Sequence, residues 1–422
     1  MPDFDNCDVR VVDAIMGTGK TASIVNMINS SEDDERFIYI TPLLSEADRI
    51  MTQCKKKYFR TPKFQGNSSK LDNLKKLIKE ERNIASTHVL FQKFDNELIG
   101  LCRSSDYTLI MDEVADVIQE YYMSDYDFET IMSKYAYIRE DTKQLVWREE
   151  YKNYVGDYSE HKRLMELGSL VYYGNSLMCW LFPIDVFRAF RKIYILTYRF
   201  DLQLQRYYYD YYGLPYTYMS VEGDSLDTYH LVDFDRDKNY VKYDYSKLIH
   251  IHSAEKINRI GDTNSALSKT WYESNKDGGG IKRLKNNICN FFINVTGHGS
   301  SCNMWTTFKD YEYKLRGKGY SNGFLPLNSR STNEFRDRDC IAYPVNRYLN
   351  PFVKNFFITN KITVDEDGYA LTEMLEFIWR SAIRDGKGIN IYVPSIRMRK
   401  LLENWIEENS SLDFPTEQSK EE

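Results

Sequence analysis

Three groups of residues in this chain have the types and spacing that phosphate chemistry needs. The first is DAIMGTGKT, residues 13–21, between the apolar run Val9-Arg10-Val11-Val12 and the helically spaced ASIVNMI. Gly17 and Gly19 permit backbone conformations that a Cβ forbids, so the amides around Thr18 can close on phosphate oxygens. Lys20 would reach the β- and γ-phosphates, and the Thr21 hydroxyl would hold Mg²⁺. The second is YTLIMDEV, residues 107–114, in which an apolar run delivers two adjacent carboxylates to a strand end. Asp112 would bind Mg²⁺ through water, and Glu113 would orient and deprotonate an attacking water. The third is ALTEMLEFIWRSAIRDGKGINIYVPS, residues 370–395, which reads as a helix carrying Arg380 and Arg384 one turn apart on one face. Guanidinium groups so placed can act as fingers on a γ-phosphate across an inter-domain cleft. Each group also has an ordinary alternative: a glycine turn before a helix, an exposed Asp-Glu at a strand end, a salt-bridged surface helix.

These residues need strands and helices in a set order to meet. RFIYITPLL (36–44) reads as a buried parallel strand followed by a helix, and ERNIASTHVLFQKF (81–94) as a short strand, Ser-Thr-His and a helix. KIYILTYRF (192–200) is another buried strand, ending at Thr197-Tyr198. The stretch between, about 118–191, reads as an insertion of mostly helical character. The second half has its own α/β rhythm, with strands near 245–253, 303–308, in DCIAYPVN (339–346) and in INIYV (389–393), and helices between them. The acidic, polar tail from about 411 to 422 reads as disordered.

Composition narrows the class. The chain has 422 residues, enough for two or three domains, and 42% hydrophobic with 28% charged residues describes a globular protein. No apolar run approaches the ~20 residues that span a bilayer, and the first ten residues do not read as a signal peptide, so no membrane association is expected. The seven cysteines are scattered with no C-x-x-C pair, which reads as neither a disulfide framework nor a metal site and fits a reducing cytoplasm. A net charge of −6 means that any polyanion partner must be met by local basic clusters such as KKKYFR (55–60) and RMRK (397–400). The 34 tyrosines, densest in YYYDYYG (207–213), can stack on bases or fill an aromatic core.

With Ala14 in place of the first glycine of the phosphate loop, and Met-Asp-Glu-Val as the acidic motif, the chain resembles superfamily 2 helicases. The wording is most similar to that of phage replication helicases and viral origin-binding helicases. The resemblance implies an α/β fold of two RecA-like P-loop domains in tandem, residues 1–200 with the insertion at about 118–191, then 201–410. It implies ATP and Mg²⁺ as cofactors, single-stranded or forked DNA and replication proteins as partners, and the host cytoplasm as location. Thr41 and Thr87 stand where the family contacts the nucleic-acid backbone, and Thr332 and Asn333 where it touches nucleic acid and nucleotide. Thr197 stands in the element that couples ATP state to domain movement. In the family's last motif, Gln-x-x-Gly-Arg-x-x-Arg, Glu376 takes the Gln place, Trp379 the Gly place and Arg380 the first Arg. Arg384 lies one residue beyond the second. The short stretch before Ala14 holds no adenine-reading glutamine motif, which points away from the RNA-helicase branch. The expected activity is therefore an ATP-dependent DNA helicase or translocase in phage or viral-type replication or recombination. An RNA helicase and a nucleotide-switched loader are the alternatives.

Overall fold

The computed structural model describes residues 7–64, 66, 68–174, 177–235, 243–327 and 334–410. The expected disordered tail, 411–422, lies outside them. The described residues divide into two compact units: those within Met1–Asp13, Lys20–Asp233 and Asn350–Val364 form the first, and those within Ala14–Gly19, Phe234–Leu349 and Asp365–Glu422 the second.

In the first unit, strands form where β-branched and aromatic residues run without polar alternation, the pattern of a sheet covered on both faces. These are β1 (Asp8–Asp13), β2 (Arg36–Thr41), β3 (Ile84–Thr87) and β4 (Tyr107–Asp112). The insertion contributes β5 (Ile118–Tyr122), β6 (Ala136–Ile138), β7 (Leu145–Trp147), β8 (Leu170–Gly174) and β9 (Leu177–Leu181). After it come β10 (Lys192–Thr197), β11 (Tyr216–Glu222) and β12 (His230–Asp233). The main sheet has seven strands in the order β12-β11-β1-β10-β4-β2-β3, and every pairing is parallel except β11 with β12. The side chains between Val9 and Val12, Phe37 and Ile40, Leu109 and Met111, and Ile193 and Leu196 are nearly all inaccessible to solvent.

Three expectations change here. The insertion is not mostly helical: β5, β9 and β8 form an antiparallel sheet, and β6 pairs with β7 as a hairpin. An aromatic stack holds the hairpin region, with Tyr135 flat on Trp147 at 5.2 Å and edge-on to Tyr151 at 5.0 Å. The boundary at residue 200 also moves, because β11 lies beside β1 and extends the first sheet. Residues 350–364 return to the first unit as well. Their helix, Pro351–Thr359, is capped by Asn350 and presents Phe352 to Tyr173 at 5.1 Å, Phe356 to Tyr211 at 5.2 Å and Phe357 to Tyr207 at 5.7 Å. Of the two readings open for the tyrosine-rich 207–213, the core one fits its first three tyrosines: Tyr207, Tyr208 and Tyr209 are buried, and the Tyr208 hydroxyl donates to the Phe182 carbonyl.

The second unit is built on a smaller, fully parallel sheet of β13 (Ile249–Ile251), β14 (Asn303–Trp305), β15 (Cys340–Ala342) and β16 (Ile389–Tyr392), in the order β13-β16-β15-β14. The helix Gly279–Asn290 buries Ile281, Leu284 and Ile288 in a cluster with Trp305, Tyr392, Phe291 and Phe292. Among the described residues, no helix is long and apolar enough to cross a membrane.

Candidate phosphate-binding site

Five parallel strands of the first unit end on a residue that could act on a bound nucleotide or polymer. β1 ends at Asp13, β2 at Thr41, β3 at Thr87, β4 at Asp112 and β10 at Thr197. Register makes them neighbours along one edge: Asp13 pairs with Thr197, Leu196 with Asp112, and Thr41 with Thr87. This is the carboxyl edge, where open parallel sheets take their ligands.

Beyond Asp13 the chain turns through residues 14–19 and enters the helix Lys20–Ser30. Gly17 and Gly19 have φ of 87° and 88°, a region closed to most side chains. The Thr18 hydroxyl is committed to the loop itself, donating to the Ile15 carbonyl at 2.7 Å. Thr18 can therefore offer a ligand only its backbone amide. Two positive-φ glycines ahead of a helix N-terminus, with a lysine and a threonine at its first two positions, form a donor set suited to a triphosphate and its Mg²⁺.

At the end of β4, Asp112 is held by two residues of the neighbouring strands' segments. The Tyr39 hydroxyl donates to Asp112 Oδ2 at 3.3 Å, and His88 Nε2 meets the Asp112 carbonyl at 3.0 Å. Burial raises the Asp112 carboxyl to about 6, the adjacent Glu113 charge adds to the rise, and the charges of Arg49 and Lys20 oppose it. The influence of Lys20 ties the helix start to the acidic pair. A carboxyl held this way is one that a divalent cation would draw back to its ionised form.

Glu113 adopts φ of 71°, a left-handed backbone that costs a non-glycine residue about 1–2 kcal/mol. Its N–H donates to the Leu196 carbonyl at 3.0 Å, and the Ala115 N–H donates to Gln205 Oε1 at 2.7 Å. The turn after Asp112 is thus pinned on both sides, and the strain at Glu113 sits where a general base is expected.

Sequence reasoning missed several of the residues that hold this edge. Asp13 accepts the N–H groups of Arg199 at 2.7 Å and Phe200 at 3.0 Å, joining the end of β1 to the turn after β10. Arg199 itself has φ of 53°. Tyr39 was hidden in an apolar run, His88 in the Ser-Thr-His turn, and Gln205, fully buried on the helix Leu204–Tyr212, has no local signal. Of the expected nucleic-acid residues, Thr41 is fully buried, with no hydrogen-bond partner for its hydroxyl among the described residues. Its side chain is therefore closed to direct contact with a polymer in this conformation. Thr87 is half-buried, whereas Thr332 and Asn333 lie outside the described residues.

The arginine element differs from expectation. The helix Glu366–Ile378 stops before Arg380, and Arg384 falls in a separate 3-10 turn, Ala382–Asp385. The Trp379 ring is wedged against Tyr245 at 5.4 Å and Trp405 at 5.4 Å, and Ser381 is extended (φ −96°, ψ −169°). The Ala382 N–H leaves the helix to donate to the Arg338 carbonyl at 2.9 Å. The two arginines therefore do not share a helix face. Arg380 is buried and Arg384 half-buried within the second unit.

Burial lifts the Asp13 carboxyl to about 6 from 3.8. Between those values the native chain keeps a proton that the unfolded chain has lost, so stability should fall as pH rises through the window. The full effect is roughly 3 kcal/mol as an upper bound. Asp13→Asn should remove that part of the pH dependence. It should also cost roughly 1–3 kcal/mol, because its amide cannot accept both N–H groups. Denaturant melts of both chains at pH 4, 5, 6 and 7 measure this, and parallel pH profiles would refute it.

Residues 243–406 match the YonV_C family, described as the YonV C-terminal Rossmann-like domain. Over 409 residues the chain is 40% identical to the "SPbeta prophage-derived uncharacterized protein YonV" of Bacillus subtilis (strain 168), covering 94% of this chain and 98% of that protein. Among solved structures, S. tokodaii Xpd4 aligns over 94% of both chains at 12% identity and a TM-score of 0.45. The DUF1998 helicase MrfA, bound to DNA and AMPPNP, aligns over 96% of this chain and 49% of its own at 10% identity and a TM-score of 0.35.

Proposed function

The chain belongs to the YonV family, and we propose that it is a Mg²⁺-dependent ATPase that drives a DNA helicase or translocase. One observation carries the ATPase reading. A glycine cradle ending in Lys20 and Thr21 follows one parallel strand of the sheet, and a strained Asp112-Glu113 pair ends another strand on the same carboxyl edge. Bound ATP would supply the phosphoanhydride. Lys20 would neutralise its terminal phosphates, Thr21 and Asp112 would hold Mg²⁺, and Glu113 would take the proton from the attacking water. The motor reading rests on the order and wording of the motifs. In that reading Thr197, tied through register to Asp13, carries the nucleotide state along the edge, and Arg380 and Arg384 remain the candidate fingers. The family's prophage member makes replication or recombination of phage DNA in the host cytoplasm the setting we favour.

The test is ATP hydrolysis without polymer and with single-stranded DNA, duplex DNA or RNA of matched length. Single-stranded DNA should stimulate most. Because an acidic chain makes few phosphate contacts, log affinity should fall only shallowly with log salt, by roughly 0.7 per contact. Stronger stimulation by RNA would overturn the DNA assignment. Stimulation by neither polymer would replace the motor with a nucleotide-switched loader.

A further inference from the structure

The second unit brings together a set of metal-ligating side chains that no motif spacing announces. β14 and β15 are neighbouring parallel strands, with Asn303 paired to Cys340. Cys302 and Asp339, each just before its strand, therefore stand side by side, at a strand spacing of about 4.8 Å. His298 reaches them from the turn that follows Gly297, whose φ is +66°. Ligand atoms of His298, Cys302 and Asp339 all lie within 4.8 Å of one another. His298 Nδ1 is 3.2 Å from Asp339 Oδ1, and Cys340 Sγ is 3.1 Å from His298 Nδ1 and 3.3 Å from Asp339 Oδ1. Two ligand atoms on one tetrahedral zinc stand roughly 3.3–3.8 Å apart, given bonds of about 2.0–2.3 Å.

We propose that His298, Cys302 and Asp339 bind a divalent transition-metal ion of the zinc class, with the Cys340 thiol beside them at the fourth position. A mixed nitrogen, sulfur and oxygen set suits a borderline ion such as Zn²⁺ or Co²⁺ and not Mg²⁺ or Ca²⁺, which take oxygen alone. Binding costs little rearrangement because the loop is already fastened. The Cys302 N–H closes the turn on the Gly299 carbonyl at 2.9 Å, and the Arg338 guanidinium donates to the Ser300 and Asn303 carbonyls. The ligands stand at the amino ends of β14 and β15, away from the carboxyl edge where parallel sheets take substrates. The ion would therefore be a structural tie between the 297–302 loop and the sheet. This proposal does not depend on ATP hydrolysis.

The experiment is metal analysis of the full chain, purified without a chelating tag, followed by Co²⁺ exchange and absorption spectroscopy. One equivalent of zinc is expected, and the cobalt form should show a thiolate charge-transfer band with strong visible bands of four-coordinate cobalt. His298→Ala and Cys302→Ser should each weaken cobalt binding by more than the roughly 10–100-fold that loss of an outer partner costs. Cys302→Ser should also diminish the charge-transfer band. Cys289→Ser, on the neighbouring helix, should change neither. His298 is exposed, so its alanine variant should fold, and circular dichroism of each variant checks this. A parent chain that neither retains zinc nor takes up cobalt overturns the site, as does an unchanged cobalt spectrum and affinity in Cys302→Ser.

Discussion

A Lys20→Ala chain should fold like the parent and lose ATP turnover by roughly 10²–10³-fold, the cost of removing one preorganised charge from a phosphate-transfer site. Lys20 opens the helix Lys20–Ser30 and is only half-buried, so alanine, the better helix former, leaves the helix intact. The loss should appear in binding as well as turnover, because the lysine charge would face the ground-state phosphates too. Thermal unfolding with and without Mg·ATP reads this directly. A ligand at 100 times its Kd stabilises the native chain by about 2.7 kcal/mol. That increment should shrink or vanish in the variant. Equal ATP-induced stabilisation of both chains would remove Lys20 from the site.

The glycine turn ahead of the helix Lys20–Ser30 and the acidic end of β4 were legible as local structure because each is a contiguous string beside a strand covered on both faces. Such strands write themselves as unbroken apolar runs. The residues that aim those strings were not legible. Asp13 finds Arg199 and Phe200, and Ala115 finds Gln205, across 90 or more positions of sequence. Only the register of β1 with β10 and the seating of the helix Leu204–Tyr212 bring them together. The insertion misled for a related reason. β5 is a five-residue strand whose partner β9 lies more than 50 residues along the chain, and in isolation its tyrosines fit a helix equally well.

The arginine segment shows the opposite failure. Its apolar spacing continues through Trp379 and Ala382, so a helix was the natural reading, yet packing of Trp379 against Trp405 and the bond from Ala382 to Arg338 end it early. Periodicity records which residues are buried, and the buried residues of a helix and of the 3-10 turn after it can share one period. The first unit's extent was hidden likewise. β11 carries polar residues among its apolar ones and reads as a weak strand until its pairing with β1 is known.

Glu113→Gln should separate binding from chemistry. Glutamine keeps the shape of the side chain and tolerates the left-handed backbone no worse than glutamate, so the turn held by the Leu196 carbonyl and Gln205 should persist. The amide cannot accept the proton of the attacking water, and general bases contribute roughly 10²–10⁴-fold to such steps. Turnover should fall by that factor, while the ATP-induced rise in unfolding temperature stays at the parent value. Glu113→Gly supplies the control for strain. It removes the base and also relieves the positive φ, so it should be as inactive as Gln without being less stable than the parent. If the Gln chain hydrolysed ATP at the parent rate, the base would be another residue on this edge. The strain at Glu113 would then serve only to turn the chain away from β4.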